Sequence, residues 1–318
     1  MRNRLDVKQL YLEQLIGPAA KQARPGAGND YLVLKSAAAG YEQVNRTLGG
    51  FYHDDGSKML HTTLDADINA TTASRGDRIF VLEGHTENLT AATSVNLDVN
   101  GVSVIGIGSG SLMPKFSTTA AAGSITIAGT DCLLENIWVY SNFATGTTTG
   151  ITVAATADGS TLRKIKITEA ANTSEFLTWI AVATTIADFT IEGCYLQGII
   201  GGTDANAIIF AGTSANCKIL NNYIYGDFSG DVIDHNTGAS TTILISGNRI
   251  ANMDTGAAGD CISLKSDGTG YIVDNYGFYN KNAATVFTGA AAVWHQNYGS
   301  NTLGDSGILF PAAAAAIP

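Results

Sequence analysis

The segment ILNNYI, at residues 219–224, is one of six related hexapeptides in this chain of 318 residues. Each begins with an aliphatic residue, continues with two variable residues and a turn-type or apolar residue, and usually closes on an apolar one. Their first residues are 28, 29, 28, 26 and 27 positions apart, which predicts a repeat architecture. The six are LENIWV (134–139), LRKIKI (162–167), IEGCYL (191–196), ILNNYI (219–224), ISGNRI (245–250) and IVDNYG (272–277).

A period of 26–29 residues, built from short aliphatic segments between Gly and Asn, is typical of a solenoid. Leucine-rich repeats have similar periods, but their fixed Leu and Asn consensus is absent from this sequence. A parallel β-helix fits better, because each coil supplies about three strands and stacks on the next coil at about 4.8 Å. Asn222, Asn248 and Asn275 occupy equivalent turn positions, where they can form a side-chain ladder and tolerate a left-handed corner. We therefore predict an all-β fold: a single right-handed parallel β-helix of about nine coils, on the order of 40 Å long.

The composition supports this fold. Only 14% of residues are charged, against roughly 25% in an average soluble domain, and 45% are hydrophobic. The chain has 36 Gly and 5 Pro, and Pro114 is the single proline between residues 26 and 310. Such scarcity is expected where almost every amide donates a hydrogen bond to a neighbouring coil. The same composition argues against a helical bundle and against disorder.

The N-terminal segment does not follow the repeat. Residues 7–19 have apolar residues at helical spacing, which predicts a short amphipathic α-helix with Leu12, Leu15 and Ile16 on its apolar face. The helix and the irregular segment after it either cap the open end of the solenoid or dock onto a partner protein.

These features divide the chain into three parts. We predict an N-terminal helix and docking or capping segment at 1–60, the β-helix at 61–303, and a C-terminal tail at 304–318.

The charge distribution restricts the partners of this protein. The formal net charge is -10, with a local excess of +3 in residues 1–25 and of -8 in residues 171–318. Because the main body repels phosphate backbones, we expect no nucleic-acid partner. The first ten residues do not resemble a secretory signal, and the apolar run at 308–318 is shorter than the about 20 residues that span a bilayer. We therefore expect no membrane insertion.

The cysteines do not suggest disulfide or metal chemistry. Cys132, Cys194, Cys217 and Cys261 lie 62, 23 and 44 residues apart, without a CxxC pair, and each is in or beside an apolar segment. We predict free, buried thiols, and we expect neither a metal ion nor another cofactor.

The stretch ASRGDRIFVLEGHTE, at residues 73–87, resembles the opening coil of pectate-lyase-like β-helix proteins. In that superfamily a Gly-Asp turn leads into a strand, which a glycine-containing loop follows. The form with Gly-His-Thr-Glu at 84–87 is similar to β-helical structural proteins of tailed bacteriophages. The resemblance covers residues 60–300, and it implies the β-helix fold and a place in a phage particle.

One segment is similar to an enzymatic motif. GDCISLKS, at residues 259–266, resembles the Gly-Asp-Asp-Cys motif of polygalacturonases, although one of the paired aspartates is missing. The resemblance implies Asp260 as a general acid and Lys265 as its charge partner.

An earlier coil contains the related segment GDVIDH at residues 230–235. Aligning the two Gly-Asp-x-Ile runs places Asp231 beside Asp260, whereas the local period of 26 residues places Asp234 there. Two carboxyls about 5 Å apart suit a retaining glycosidase, but Asp after Gly is also an ordinary turn residue. Calcium bridging between subunits at Asp227, Asp231 or Asp234 is a further alternative.

A row of aromatic residues occupies one outward position of the repeat. Its members are Trp138, Tyr195, Tyr223 and Tyr276, with Lys166 and Arg249 in the same position of two other coils. Such a row can stack on sugar rings or pack against a neighbouring rod. We favour packing between rods, because aromatic residues are enriched in the cores of protein interfaces.

We therefore expect a non-enzymatic virion structural protein that assembles in the host cytoplasm. It would form a homotrimer and decorate the capsid surface as a decoration protein or head fibre, attached to a capsid or tail protein through residues 1–60. The first alternative is a tail spike or secreted polysaccharide lyase or hydrolase that uses Asp231, Asp234 and Asp260. The second is a module that binds a host-surface glycan through the aromatic row.

Overall fold

The computed structural model describes residues 28–38, 40–202, 204–255, 259–280 and 286–300, and the backbone of a strand at Ile308–Phe310. The predicted helix at 7–19, with Leu12, Leu15 and Ile16, lies outside the described residues. So does the tail at 304–318, apart from the Ile308–Phe310 strand.

The chain forms a parallel β-solenoid of about nine turns, which confirms the predicted fold class. Each turn supplies one strand to each of two long sheets, here sheets 1 and 2, and within the described residues eight turns also supply one to sheet 3. A small sheet 4 lies between sheets 3 and 1 in the middle turns. Strands are numbered in chain order, and all described strand pairs are parallel except the last pair of sheet 2. The right hand of the coil stays a prediction.

Sheet 1 has eleven strands. Across the sheet they are β2 (Leu60–His61), β1 (Asp30–Val33), β3 (Arg78–Val81), β6 (Ser103–Gly106), β9 (Leu133–Glu135), β12 (Thr161–Arg163), β16 (Thr190–Glu192), β20 (Lys218–Leu220), β24 (Ile243–Ser246), β27 (Gly270–Val273) and β30 (Val293–His295).

Sheet 2 has ten strands, and the last two pair antiparallel. They are β4 (Thr86–Leu89), β7 (Lys115–Thr118), β10 (Trp138–Ser141), β13 (Lys166–Glu169), β17 (Tyr195–Gln197), β21 (Tyr223–Gly226), β25 (Arg249–Asn252), β28 (Tyr276–Tyr279), β31 (Asn297–Ser300) and β32 (Ile308–Phe310).

Sheets 3 and 4 complete the solenoid with eight and three strands. Sheet 3 contains β5 (Val95–Leu97), β8 (Ile125–Ile127), β11 (Thr147–Val153), β14 (Phe176–Val182), β18 (Asn206–Phe210), β22 (Ile233–His235), β26 (Ile262–Leu264) and β29 (Phe287–Thr288). Sheet 4 contains β15 (Ile186–Ala187), β19 (Ser214–Ala215) and β23 (Ser240–Thr241).

The first residues of the six hexapeptides form one continuous inward stack on sheet 1. In register they are Leu134, Leu162, Ile191, Ile219, Ile245 and Ile272, and all six are buried. Full burial of each aliphatic side chain contributes about 1.5–3 kcal/mol. The repeat is visible in the sequence because this stack needs an aliphatic residue at the same point of every coil.

The corner between sheets 1 and 2 contains the predicted asparagine ladder. Asn222, Asn248 and Asn275 are buried there and hydrogen bond from coil to coil, and Asn297 extends the ladder by one coil. The left-handed backbone falls one residue earlier than the sequence suggested. The residues with positive φ at this corner are Asn136, Lys164, Gly193, Asn221, Gly247, Asp274 and Gln296. The ladder residues come directly after these positions, and their side chains are buried inside the corner.

Two short helices lie near the start of the described chain, α1 (Tyr41–Leu48) and α2 (Leu64–Ala70). Strand β1 pairs with β2 and β3 and so extends sheet 1 into the predicted capping segment, where the sequence had suggested no strand. A second apolar cluster forms at this end from Leu32, Leu34, Leu48, Met59, Leu60, Phe80 and Leu82. Among the residues described, a 3-10 turn is present at Gly110–Leu112.

None of the helices in the described part of the chain has the length and apolar character needed to cross a membrane.

Candidate functional site

The residues of the predicted aromatic row lie side by side on the outer surface of sheet 2. Each is the first residue of its strand, and the parallel register joins every one to its neighbour in the next coil. The full line is Lys115, Trp138, Lys166, Tyr195, Tyr223, Arg249, Tyr276 and Tyr298, which we call the aromatic row. The sequence reading missed Lys115 and Tyr298. Tyr298 carries a recognisable signal, because WHQNYG at 294–299 repeats the pattern of IVDNYG with Trp in the aliphatic position.

Tyrosines dominate the second half of the row, where they form two stacked pairs. The rings of Tyr195 and Tyr223 are 5.1 Å apart at an angle of 7°, and those of Tyr276 and Tyr298 are 5.4 Å apart at 12°. The four side chains remain 42%, 42%, 53% and 40% exposed, respectively. The solenoid therefore presents half-exposed, stacked aromatic rings to its surroundings in a fixed line.

Lysines flank the tryptophan in the first half of the row. Lys115 Nζ lies 4.6 Å and Lys166 Nζ 3.9 Å from the centre of a Trp138 ring, a cation–π arrangement. Partial burial, together with the positive charge of Lys166, lowers the pKa of Lys115. Trp138 Nε1 donates a hydrogen bond of 2.7 Å to Thr168 Oγ1, which fixes the indole against the sheet.

Arg249 separates the two tyrosine pairs and lies in a shallow groove of about 430 Å³. Tyr223 and Tyr276 form its sides, since they are the register neighbours of Arg249. Ala251 leaves the space that forms the groove, because it is a small residue at a position where the adjacent coils have Tyr225 and Phe278. Within the described chain the guanidinium of this exposed arginine makes no hydrogen bond or ion pair. A groove with aromatic walls and one guanidinium suits a ring that bears a carboxylate.

The structure resolves the register of the three candidate aspartates. Ile233 pairs with Ile262 and Asp234 pairs with Ser263, so Asp231 is the neighbour of Asp260 and Asp234 is not. Asp231 Oδ1 accepts a hydrogen bond of 2.6 Å from the backbone N–H of Asp260. That contact joins two successive coils, with the carboxylate of one accepting from a backbone donor of the next.

The other candidate residues of this segment have partners as well. Asp234 is half-buried and accepts the N–H of Asn236 at 3.0 Å, and burial raises its pKa, with a smaller contribution from Asp231. Lys265 Nζ lies 3.7 Å from Asp267, so its observed partner differs from the one that the polygalacturonase resemblance implied. Asp227, the third of the suggested calcium ligands, accepts the N–H of Gly201 at 2.6 Å.

All four cysteines are free and buried, as the sequence predicted. Burial raises the pKa of each thiol, so none has the character of a nucleophile. In the part of the chain that the structure describes, no three His, Cys, Asp or Glu side chains are grouped so as to hold a metal ion.

A group of acidic residues lies at the corner between sheets 2 and 3, which we call the acidic corner. Its members are Glu169, Glu175, Asp204 and Asp227, from three successive coils. The first three are buried. Sequence reasoning missed this group, because its members belong to connections of unequal length and share no local motif.

The fold defines the class of this protein as a parallel β-solenoid with an outward aromatic row. A comparison of the sequence with models of protein families finds no matching family, and a comparison with curated proteins finds no matching relative.

Proposed function

We propose that this protein is a non-enzymatic structural rod of a bacteriophage particle, and that its aromatic row packs against further copies of the chain in a homotrimer. The aromatic row is the observation that carries the proposal. Four tyrosines that are 40–53% exposed lie in one straight register on a rigid sheet. Isolated exposed rings are ordinary on a protein surface, but two stacked pairs in one line, on either side of Arg249, are a feature of interfaces.

The rest of the molecule supports a structural role. The solenoid carries a continuous aliphatic core, and its four cysteines are free, so it gains rigidity without disulfides. The resemblance of residues 73–87 to β-helical phage proteins suggests the particle, and residues 1–60 are the proposed attachment to a capsid or tail protein. A capsid-surface decoration or head fibre is the form that we favour.

Light scattering tests the proposed assembly. The wild-type protein should have three times the chain mass of 33.1 kDa, and the double variant Tyr223→Ala/Tyr276→Ala should be monomeric. Tyr271→Ala is the matched control, because this tyrosine is 57% exposed on sheet 1, outside the row, and its loss should leave the trimer intact. A monomeric wild type, or a double variant that stays trimeric, contradicts the proposed interface.

Quantitative mass spectrometry of purified particles tests the proposed location. Many copies of the chain per particle are expected for a capsid decoration, and a few copies for a spike or fibre. Absence of the chain from the particles contradicts the virion proposal. Deletion of residues 1–25 should abolish incorporation, and truncated protein that still joins particles shows that this segment is only a cap.

A second candidate function is the binding of an acidic glycan, which the groove around Arg249 favours. The test is calorimetric titration with polygalacturonate, using neutral dextran as the comparison polymer. Binding of polygalacturonate alone, lost in Arg249→Ala and kept in Lys218→Ala, supports this function, since Lys218 is an exposed cation on sheet 1. Equal affinity of wild type and Arg249→Ala excludes the groove as the binding site.

A further inference from the structure

Glu169 is a buried carboxyl group with a complete set of hydrogen-bond donors. It is the last residue of β13 and is only 7% exposed. Its Oε1 accepts the backbone N–H of Phe176 at 3.0 Å and the indole N–H of Trp179 at 3.2 Å. Its Oε2 accepts the N–H of Ile199 at 3.2 Å, which ties β13 to the loop formed by residues 198–202.

Asp204 is more deeply buried and has no such donors. It is 0% exposed, and neither of its side-chain oxygens accepts a hydrogen bond from an N–H or hydroxyl group of the described residues. Leaving a buried carboxylate without a donor costs more than leaving a neutral acid, because the full negative charge is then desolvated.

The two carboxyl groups meet above Gly198. A Cβ atom placed on this glycine would lie 2.9 Å from Asp204 Oδ2 and 3.1 Å from Glu169 Oε2. Since ionised carboxylates only accept hydrogen bonds, two such groups can hydrogen bond to each other only while one of them carries a proton.

The charged groups that act on the pair favour keeping that proton. They are Glu175, from the turn before β14, and Asp227, which follows β21, and both are acidic. Neither Glu169 nor Asp204 forms an ion pair with a basic side chain of the described residues. Burial, and after it the neighbouring acids, raises the pKa of Asp204, and burial also raises the pKa of Glu169.

We propose that Glu169 and Asp204 share one proton at neutral pH, and that its loss in alkaline solution releases the 198–202 loop from the acidic corner. The second negative charge would lie in a buried site beside the first, without a donor to offset it. Asp204 must then move towards water and give up the hydrogen bond of 2.7 Å that its carbonyl oxygen accepts from Ser229. The N–H of Ile199 loses its fixed acceptor as the corner separates.

Hydrogen exchange of the full chain, followed by mass spectrometry, tests this proposal. After correction for the intrinsic effect of pH, exchange of the 198–202 loop should be at least about tenfold faster at pH 9 than at pH 6. A tenfold change corresponds to a difference of one pKa unit between the closed and the released state of the corner. Exchange of β24, in sheet 1 and away from the acidic corner, should not change, which separates a local release from global unfolding.

Asp204→Asn is the decisive variant, because its amide can donate to Glu169 at every pH. The loop should then exchange slowly at both pH values. Asp67→Asn is the matched control, since it removes another fully buried acid, in α2, and should leave the pH dependence of the loop as in the wild type. A loop whose corrected exchange is independent of pH in the wild type, or still depends on pH in Asp204→Asn, overturns the proposal.

Infrared spectroscopy in the Asp67→Asn background gives a second answer, because this variant removes the other carboxyl group whose pKa burial raises to about 7. A protonated carboxyl stretch should be present at pH 7 and disappear at alkaline pH. Its absence at pH 7 overturns the proposal as well.

Discussion

The side-chain oxygen of Asn275 accepts two hydrogen bonds from Asn248, one from its backbone N–H at 3.0 Å and one from Nδ2 at 2.9 Å. Asn248 offers its own oxygen to Asn222 in the same way, with both distances at 2.9 Å. Asn275 repeats the contact towards Asn297. Each amide thus satisfies donors of the adjacent coil at a buried corner, so the ladder fixes the stacking of the coils as well as their register.

Replacing Asn248 by alanine should therefore be strongly destabilising. The change leaves the backbone N–H and Nδ2 of Asn222 without their acceptor and the carbonyl of Ile219 without its donor at 2.9 Å. Buried polar groups left unsatisfied cost about 1–3 kcal/mol each, so we expect a loss of about 3 kcal/mol in the free energy of unfolding. Scanning calorimetry measures it. The control Asn236→Ala, at an exposed asparagine, should stay within about 0.5 kcal/mol of wild type, and equal losses in both variants contradict the ladder's role.

The parts of the structure that the sequence predicts are those that repeat in every coil. Inward aliphatic residues such as Ile219 and ladder residues such as Asn248 must recur at a fixed spacing. Their positions can therefore be recognised in a single sequence. Strand β1 was missed because no hexapeptide marks it, although its partner β2 lies at the usual spacing of the repeat. The sequence could not decide whether Asp231 or Asp234 is the neighbour of Asp260, because the connections between sheets 2 and 3 differ in length from coil to coil.

The acidic corner could not be predicted at all. Glu169 and Asp204 are 35 positions apart in the sequence, and neither belongs to a repeated motif. Only the way in which the coils stack brings their carboxyl groups together above Gly198.

Gly106→Ala should destabilise the solenoid by steric overlap. A Cβ at this position of β6 would lie 2.0 Å from the carbonyl oxygen of Asn136 in the next coil, and backbone cannot move aside without breaking the sheet. We expect a loss of about 3 kcal/mol, at the upper end of overpacking effects. Gly50→Ala is the control, because a Cβ there meets nothing within 4 Å. Thermal unfolding of the two variants should differ clearly, and an unchanged Gly106→Ala protein is incompatible with the close approach of the two coils.

The native protein should not react with a thiol reagent such as Ellman's reagent. All four cysteines are buried, so the reagent cannot reach them. Burial also raises the pKa of each thiol, so the reactive thiolate form is scarce. Unfolding in guanidinium chloride should release four reactive thiols per chain. Fewer than four in the unfolded, unreduced protein would reveal a disulfide and contradict the structure.

Asp67 should make the protein less stable as the pH rises from about 4 to 7. Burial raises the pKa of this carboxyl to about 7 from 3.8, although its hydrogen bond with His61 opposes the shift. Because the folded state holds the proton more tightly than the unfolded state, stability is greatest below the unfolded pKa. It is lost through this window by an amount on the order of 4 kcal/mol.

Melting temperatures measured across this range test the contribution of Asp67. Asp67→Asn should show a weaker dependence on pH than wild type, whereas Asp267→Asn, at an exposed carboxylate, should follow wild type. If both variants follow wild type, Asp67 is ionised in the folded protein throughout this range.

Arg249→Tyr should turn the two tyrosine pairs into one continuous stack, because Arg249 lies in register between Tyr223 and Tyr276. Each new cross-strand aromatic pair contributes roughly 0.2–1 kcal/mol, so the variant should be about 1 kcal/mol more stable than wild type. Arg249→Ala, which removes the cation without adding a ring, should show no such gain in scanning calorimetry.

Arg249→Tyr also separates the two candidate functions of the row, packing between copies of the chain and binding of an acidic glycan. If the row packs against other copies, the protein should remain a trimer when the aromatic line is completed. If the groove binds an acidic sugar, binding should be lost, because the variant removes the guanidinium and fills the groove. Polygalacturonate binding that is retained in Arg249→Tyr contradicts binding in the groove.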